Sequence, residues 1–216
     1  MKLTVFGATG GIGRQLIRQG LDRGHEMTAV TRRPAGDLGC EVVVAPLDDA
    51  EALAGAVAGR DAVLSALGIR VPEMRARRAK DKAARSTVQA DGARAQVAAM
   101  QATGVRRLIT VDASGRVADE GDGPVMRLIA KPLVQRVLRE GFEDLAAAEA
   151  ILRASDLDWT LIAPPRLTDG PHRAYRTVLD INVRGGRLLS RADVADAMFR
   201  ALEEPTWIHR RVNIAY

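Results

Sequence analysis

A cluster of glycines near the start of the chain constrains the fold more than any other feature. Residues 3–6 are spaced as in a short buried strand, a glycine-rich turn follows over 7–13, and apolar residues then recur at helical spacing over 12–21. Glycine has no Cβ, so backbone amides at such a turn can approach a phosphate closely, and the helix N-terminus adds partial positive charge. The pattern predicts a dinucleotide-binding turn, and the alternative is a glycine-rich hairpin without a ligand.

The exact residue sequence of this turn indicates which group of dinucleotide-binding proteins the chain resembles. It reads Gly-Ala-Thr-Gly-Gly-Ile-Gly over 7–13, and Thr9 stands where the common dinucleotide fingerprint has its second glycine. This variant resembles the extended and atypical branches of the short-chain dehydrogenase/reductase superfamily. The resemblance implies that the turn holds the cofactor pyrophosphate through Gly7, Thr9, Gly10, Gly11, Ile12 and Gly13.

A second strand over 25–31 completes a βαβ unit and ends in two arginines, Arg32 and Arg33. A group about 20 residues past the glycines usually reads the ribose 2′ position, where an acid favours NAD and arginine favours NADP. No acid stands at this strand end, and guanidinium groups make paired hydrogen bonds to phosphate. We therefore expect NADP(H) to be preferred over NAD(H), while a solvated basic loop is the alternative.

The rest of the chain continues the alternation of strands and helices. We predict strands over 41–45, 61–68, 107–111, 157–163 and 211–215, and helices over 49–58, 86–103, 123–140 and 142–155. Ser190 and Asp193 form a capping box that opens a last helix. These patterns predict an α/β protein with a doubly wound parallel sheet, the Rossmann fold. We expect one domain over 1–216, in which 164–190, with short strands over 172–183 and 186–190, forms a small C-terminal lobe on the substrate side.

The superfamily resemblance also assigns expected roles at three other strand ends. Leu47 is expected to line the adenine pocket, although Pro46 stands where relatives commonly carry an aspartate. The last three residues of the fourth predicted strand are expected to border the ribose: Ala66, Leu67 and Gly68. Ser114 matches by position the serine that hydrogen-bonds a substrate carbonyl, so it is the candidate catalytic residue.

The tyrosine and lysine that usually accompany this serine are missing. The only tyrosines are Tyr175 and Tyr216, and neither has a lysine four residues later. Lys131 lies near the expected place and is either a remnant of the pair or, as we favour, an ordinary surface lysine. The sequence therefore disfavours a tyrosine-dependent alcohol dehydrogenase or sugar epimerase.

A second specific signal lies around the sixth predicted strand. Leu-Asp-Trp-Thr at 157–160 is followed by Pro-Pro-Arg-Leu-Thr-Asp-Gly at 164–170. This run resembles atypical short-chain reductases of the biliverdin-IX-beta reductase and flavin reductase type. The resemblance implies that Pro164 and Pro165 flank the nicotinamide, and it makes Arg166, where the biliverdin reductases carry histidine, a candidate substrate-binding residue.

Charge and composition limit the remaining function classes. The net charge is +5, and the densest basic segment spans 70–85, which we interpret as a solvated face, a flap over an anionic ligand or, least favoured, a nucleic-acid contact. Aromatic residues make up 3%, which is few for a nucleic-acid stacking surface. Cys40 is the only cysteine, the three histidines are scattered, and no signal peptide or membrane-spanning segment is visible. We expect a cytoplasmic protein, a monomer or small homo-oligomer, without a metal or membrane partner.

Two functional hypotheses follow. The first is an NADPH-dependent oxidoreductase that passes hydride to a conjugated small molecule such as a flavin, a quinone or a tetrapyrrole. Such an acceptor spreads charge or takes a proton from water, so the missing tyrosine is tolerable. The second is a non-catalytic NADP-binding redox sensor that docks onto a protein partner.

Overall fold

Strands and helices alternate along most of the computed structural model, which describes residues 1–68 and 87–216. The strands are β1 Lys2–Phe6, β2 Glu26–Thr31, β3 Glu41–Val44, β4 Ala62–Ser65, β5 Arg107–Val111, β6 Asp158–Ala163, β7 Arg166–Thr168, β8 Arg176–Leu179, β9 Leu188–Ser190 and β10 Arg210–Ala215. The α-helices of this part are α1 Gly11–Asp22, α2 Ala50–Val57, α3 Val88–Thr103, α4 Lys131–Val137, α5 Arg139–Arg153 and α6 Arg191–Glu203. The basic segment 70–85 and the predicted helix start at Ser86 lie outside the described residues.

Eight strands form one sheet in the order β3-β2-β1-β4-β5-β6-β10-β8. All neighbouring strands in it are parallel except β8, which pairs antiparallel with β10 at the edge. The strand order reverses direction between β1 and β4, which is the switch point where ligands bind in sheets of this kind. The predicted doubly wound Rossmann sheet is therefore confirmed.

Helices cover both faces of the sheet, which explains why its central strands read as continuous apolar runs. On one face α1 packs against α6, and on the other α3 packs against α2 and α5. Each face has its own core: Leu16 and Met198 belong to one, and Met100 and Leu108 to the other. The Ser190 hydroxyl accepts the amide of Asp193, so the predicted helix cap at the start of α6 is confirmed.

Two stretches differ from the prediction. The run 164–170 contains a strand, β7, which pairs in parallel with β9 in a separate two-stranded sheet. The predicted helix over 123–140 contains a π-helical turn, Met126–Ala130, and α4 ends at Val137. Pro132 has no amide hydrogen, so it cannot extend a regular hydrogen-bond ladder through this segment.

Candidate functional site

The carboxyl ends of the parallel strands bring the predicted ligand-binding residues to one edge of the sheet. β1 leads into the glycine turn, β2 ends before Arg32, β4 ends before Ala66, and β5 and β6 end before Ser114 and Pro164. The sequence placed these residues by strand position alone. Their meeting at one edge follows from the parallel pairing of all five strands.

The glycine turn cannot hold larger residues at two of its positions. Gly7 has φ +74°, and a Cβ there would lie 2.6 Å from the backbone oxygen of Ala66. A Cβ on Gly13 would lie 2.1 Å from the backbone oxygen of Gly7. The Gly10 amide donates to the Gly7 carbonyl at 3.0 Å, which closes the turn.

The end of the turn, at the N-terminus of α1, has the features of an anion-binding site. Gly10 caps α1 without a side chain, and the first turn of α1 contains no acidic residue. Unpaired amides and the positive end of the helix dipole therefore face outward without an internal counter-charge. A dinucleotide diphosphate fits this cradle, because the glycines at 7 and 13 let the backbone of the turn pack closely, which a Cβ at either position would prevent.

The residues expected around the adenosine lie beside this turn. Arg32 and Arg33 are exposed directly after β2, and within the described part of the chain neither guanidinium has a hydrogen bond or ion pair. Leu47 is half-buried after β3. The nearby acid Asp49 is engaged as the N-cap of α2, where its carboxylate accepts the Ala52 amide at 3.0 Å.

The residues after β4 contact the glycine turn directly. The Ala66 amide donates to the Phe6 carbonyl at 2.9 Å, and the Ala66 carbonyl is the atom that excludes a side chain at Gly7. The Leu67 carbonyl accepts from Gln89 Nε2 at 2.7 Å, which ties this segment to α3. Gly68 is exposed at the end of the segment.

A second part of the site is a cavity of about 590 Å³ at the ends of β5 and β6. The Ser114 amide donates to the Pro164 carbonyl at 3.0 Å, so this one bond joins the two predicted segments. Four predicted residues line the cavity together: Ser114, Pro164, Pro165 and Arg166. Most of the remaining wall is apolar, with Met126, Val134, Leu138, Phe142 and Val183. Its volume lies within the range that suits a drug-sized ring system.

Lys131 is not the surface residue that the sequence suggested. Only 7% of it is exposed, and its ammonium donates to the carbonyls of Ser114 at 3.1 Å and Val117 at 2.7 Å. It also pairs with Asp122 Oδ2 at 2.7 Å. A buried charge is tolerated when it is paired and hydrogen-bonded, so the surface interpretation was wrong because these partners come from remote positions.

Sequence reasoning missed a buried ionic cluster beneath Ser114. The Asp112 carboxylate, 6% exposed, accepts from Arg116 at 2.9 and 3.0 Å and from Arg211 at 2.7 Å. Burial alone would lower the pKa of the Arg116 guanidinium, but hydrogen bonds to Asp112 and the charges of Asp112 and Glu149 raise that pKa overall. Arg211 also donates to the Ala113 carbonyl at 2.7 Å, which fixes the backbone next to Ser114.

Neither tyrosine lies in the cavity wall. The Tyr175 hydroxyl donates to Asp196 at 2.8 Å, and burial together with this carboxylate raises the pKa of Tyr175. The Tyr216 hydroxyl donates to the buried carboxylate of Asp193. His172, the histidine nearest the proline loop in sequence, is exposed and lies 2.7 Å from Asp193 through Nδ1.

Arg191 is a further residue that the sequence did not single out. It is the first residue of α6, and a Cβ on Gly11 would lie 2.6 Å from its Cδ, so the arginine lies directly over the glycine turn. Its Nη1 pairs with Asp169 Oδ1 at 2.7 Å. An arginine at the first position of a helix was the available signal, because a cation is unfavourable there.

The match to known proteins agrees with this geometry. The model of the NAD(P)H-binding family matches residues 7–205, from the first glycine of the turn to the end of α6. The chain belongs to this family.

Similar proteins span the whole length of the chain. YwnB of Bacillus subtilis, an uncharacterized protein, is 22% identical over 221 residues, which cover 99% of this chain and 98% of that protein. The structure of a Burkholderia pseudomallei protein, provisionally named as exported, is 26% identical with a TM-score of 0.79 and covers 100% of both chains.

Two further solved structures share the fold at lower identity. A Streptococcus pneumoniae protein provisionally named an NADH-flavin reductase is 24% identical, with a TM-score of 0.78 over 100% of this chain and 99% of that one. A wide-type short-chain dehydrogenase/reductase from Veillonella parvula in complex with NADP is 17% identical, with a TM-score of 0.75 over 100% and 94%. No helix in the described residues is both long enough and apolar enough to cross a bilayer.

Proposed function

We propose that this protein is an NADPH-dependent reductase that transfers hydride to a conjugated small molecule such as a flavin, a quinone or a tetrapyrrole. The observation that carries the proposal is the apolar cavity of about 590 Å³, which opens where Ser114, Pro164 and Pro165 meet at the cofactor edge of the sheet. A mostly apolar wall suits a flat, delocalised ring. The resemblance to flavin and biliverdin-IX-beta reductases supports the same acceptor class.

The chain's own residues have separate roles in this proposal. When bound, NADPH supplies the hydride. The Ser114 hydroxyl, which has no hydrogen bond within the described residues, orients the acceptor, and its backbone is held by Pro164 and Lys131. Arg166 is exposed at the cavity wall and pairs with an anionic group of the acceptor. Because both tyrosine hydroxyls are bonded elsewhere, the proton comes from water.

The preference for NADPH over NADH rests on Arg32 and Arg33. Both guanidinium groups are exposed and without an ion pair in the described part of the chain, so a 2′-phosphate meets no competing internal anion. Leu47 lines the adenine pocket, and Ala66, Leu67 and Gly68 border the ribose in this arrangement. Pro164 and Pro165 flank the nicotinamide.

The direct test follows the absorbance of NADPH with a panel of acceptors. We expect the nicotinamide band to fall in the presence of at least one flavin, quinone or biliverdin, with slower turnover for NADH. The Ser114→Ala variant tests the role assigned to the hydroxyl, because it removes that one group and leaves the backbone bonds in place. Tight NADPH binding without oxidation by any acceptor would contradict a reductase.

A second function, a non-catalytic NADP-binding redox sensor, has one observation in its favour. Large apolar side chains over 125–137 are exposed, five of them by between 58% and 72%: Val125, Leu128, Ile129, Leu133 and Val137. An exposed apolar patch of this kind often marks a binding surface. This segment also forms part of the cavity wall, so a ligand in the cavity can influence a partner docked outside it.

The remaining assignments are of lower consequence for the chemistry. We propose one domain over 1–216 with 164–190 on the substrate side, a monomer or small homo-oligomer, and a cytoplasmic location, where NADPH is available. Membranes and nucleic acids are not proposed as partners. Light scattering of the purified protein and fractionation of the source cells test the assembly and the location.

A further inference from the structure

Where α6 packs against α1, the side chain of Arg191 lies against the glycine turn. Gly11 has no side chain, and the aliphatic part of Arg191 occupies the place where one would be, with Cδ 2.6 Å and Nε 2.8 Å from an ideal Cβ. Cα atoms of the two helices could approach equally well with a neutral side chain at position 191. The arginine therefore brings a charge to this point rather than volume alone.

The positive charge of Arg191 lies where the electrostatic field of two helix dipoles is unfavourable to it. The guanidinium lies at the N-terminus of α1 and also at the start of its own helix, and both ends carry partial positive charge. Its counter-ion is Asp169 at 2.7 Å, whose side chain is 92% exposed. An ion pair this open to water contributes little, so the cluster of positive groups lacks an effective internal anion.

We propose that Arg191 is a phosphate-binding residue of the dinucleotide site and that Asp169 holds its guanidinium only until the cofactor arrives. In the bound state Arg191 leaves Asp169 and donates to a diphosphate oxygen above Gly11. This inference rests on the cofactor assigned under the proposed function and adds a residue from the opposite end of the chain to it. Asp169 directly follows β7, so the exchange also frees the loop beside Arg166.

Calorimetric titration with NADPH tests the assignment. Arg191→Met keeps the length of the side chain and removes the charge, and we expect the Kd for NADPH to rise by about 30-fold, because a charge-assisted bond is lost. Arg94→Met is the matched control: Arg94 is an exposed arginine of α3 paired with Asp91 at the same 2.7 Å, and its removal should leave Kd unchanged. Asp169→Asn removes the competing anion and should lower Kd by about two- to fivefold.

A second ligand separates this role from a structural one. Adenosine 2′-monophosphate contains the 2′-phosphate and lacks the diphosphate, so Arg191→Met should bind it as the wild type does. Equal NADPH affinity in Arg191→Met and the wild type would overturn the assignment, and so would an equal loss for both ligands. Weaker NADPH binding in Asp169→Asn would contradict the exchange of partners.

These outcomes are independent of the reductase assay. A wild-type protein that binds NADPH but reduces no acceptor would contradict the proposed activity and leave the Arg191 result standing. A wild-type protein that binds neither NADPH nor NADH would overturn the Arg191 assignment together with the cofactor.

Discussion

The cofactor cradle and the acceptor cavity are built in opposite ways. The strand, turn and helix of the cradle follow each other directly over residues 2–22, and Ala66 and Arg191 add single contacts from other elements. The cavity is assembled from segments as distant as Ser114, Lys131, Asn182 and Asn213. Close backbone approach governs the first, whereas the second depends on buried polar side chains and their partners. The two regions should therefore fail differently when they are changed.

The largest expected effect is at the cradle. Gly13→Ala places a Cβ 2.1 Å from the Gly7 carbonyl, so the turn must open. We expect NADPH affinity to fall by at least about 100-fold and the free energy of unfolding to fall by about 3 kcal/mol. Calorimetry and urea unfolding measure the two effects.

Gly55→Ala is the control for that change. Gly55 lies within α2 with nothing near its Cβ position, so alanine should stabilise the protein by about 0.5–1 kcal/mol and leave NADPH binding unchanged. If Gly13→Ala bound NADPH as the wild type does, the cradle would not depend on close backbone approach.

Asp112→Asn tests the buried ionic cluster that supports the backbone beside the cavity. The variant removes the negative charge that lies between Arg116 and Arg211, and both arginines stay buried. Because their positive charges are then uncompensated, the free energy of unfolding should fall by about 3 kcal/mol. Asp156→Asn, at an exposed carboxylate paired with Arg106, should change it by less than about 0.5 kcal/mol. Equal effects in urea unfolding would show that the buried cluster contributes no more to stability than an exposed ion pair does.

The double variant Arg32→Ala with Arg33→Ala tests whether the cofactor site distinguishes NADPH from NADH through these two arginines. We expect the Kd for NADPH to rise by about 30-fold, because two charge-assisted contacts to the 2′-phosphate are lost. The Kd for NADH should stay the same, and NADH therefore serves as the internal control. A parallel loss for both nucleotides would assign these arginines to a general role in folding or steering.

The smallest change in activity is expected for Ser114→Ala. The hydroxyl contributes one hydrogen bond to the acceptor, so kcat should fall by about tenfold with NADPH affinity unchanged. Steady-state kinetics with the best acceptor of the panel measures this. Full activity in the variant would exclude Ser114 from the reaction.

The contrast between the cradle and the cavity also explains which features could be predicted from the sequence and which could not. The glycine turn, the strand over 107–111 and the cap at Ser190 each have a sequence signal contained within a few neighbouring residues, and each lies where the pattern indicated. The burial of Lys131 depends on Asp122 and on carbonyls at 114 and 117, and the place of Arg191 depends on a glycine 180 positions earlier in the chain. The local sequence pattern contains no information about such distant partners. A lysine or arginine is therefore predicted to be a surface residue until the fold is known.

Asn213 shows a consequence of the cavity for protein engineering. Its side chain on β10 is 0% exposed, and neither amide atom has a hydrogen-bond partner among the described residues. Leucine has a similar branched shape without the unpaired amide, so Asn213→Leu should raise the melting temperature and add about 1–2 kcal/mol to the free energy of unfolding. Heat tolerance can thus be gained at the floor of the cavity, and any accompanying loss of turnover would reveal that the amide serves the reaction instead of the fold.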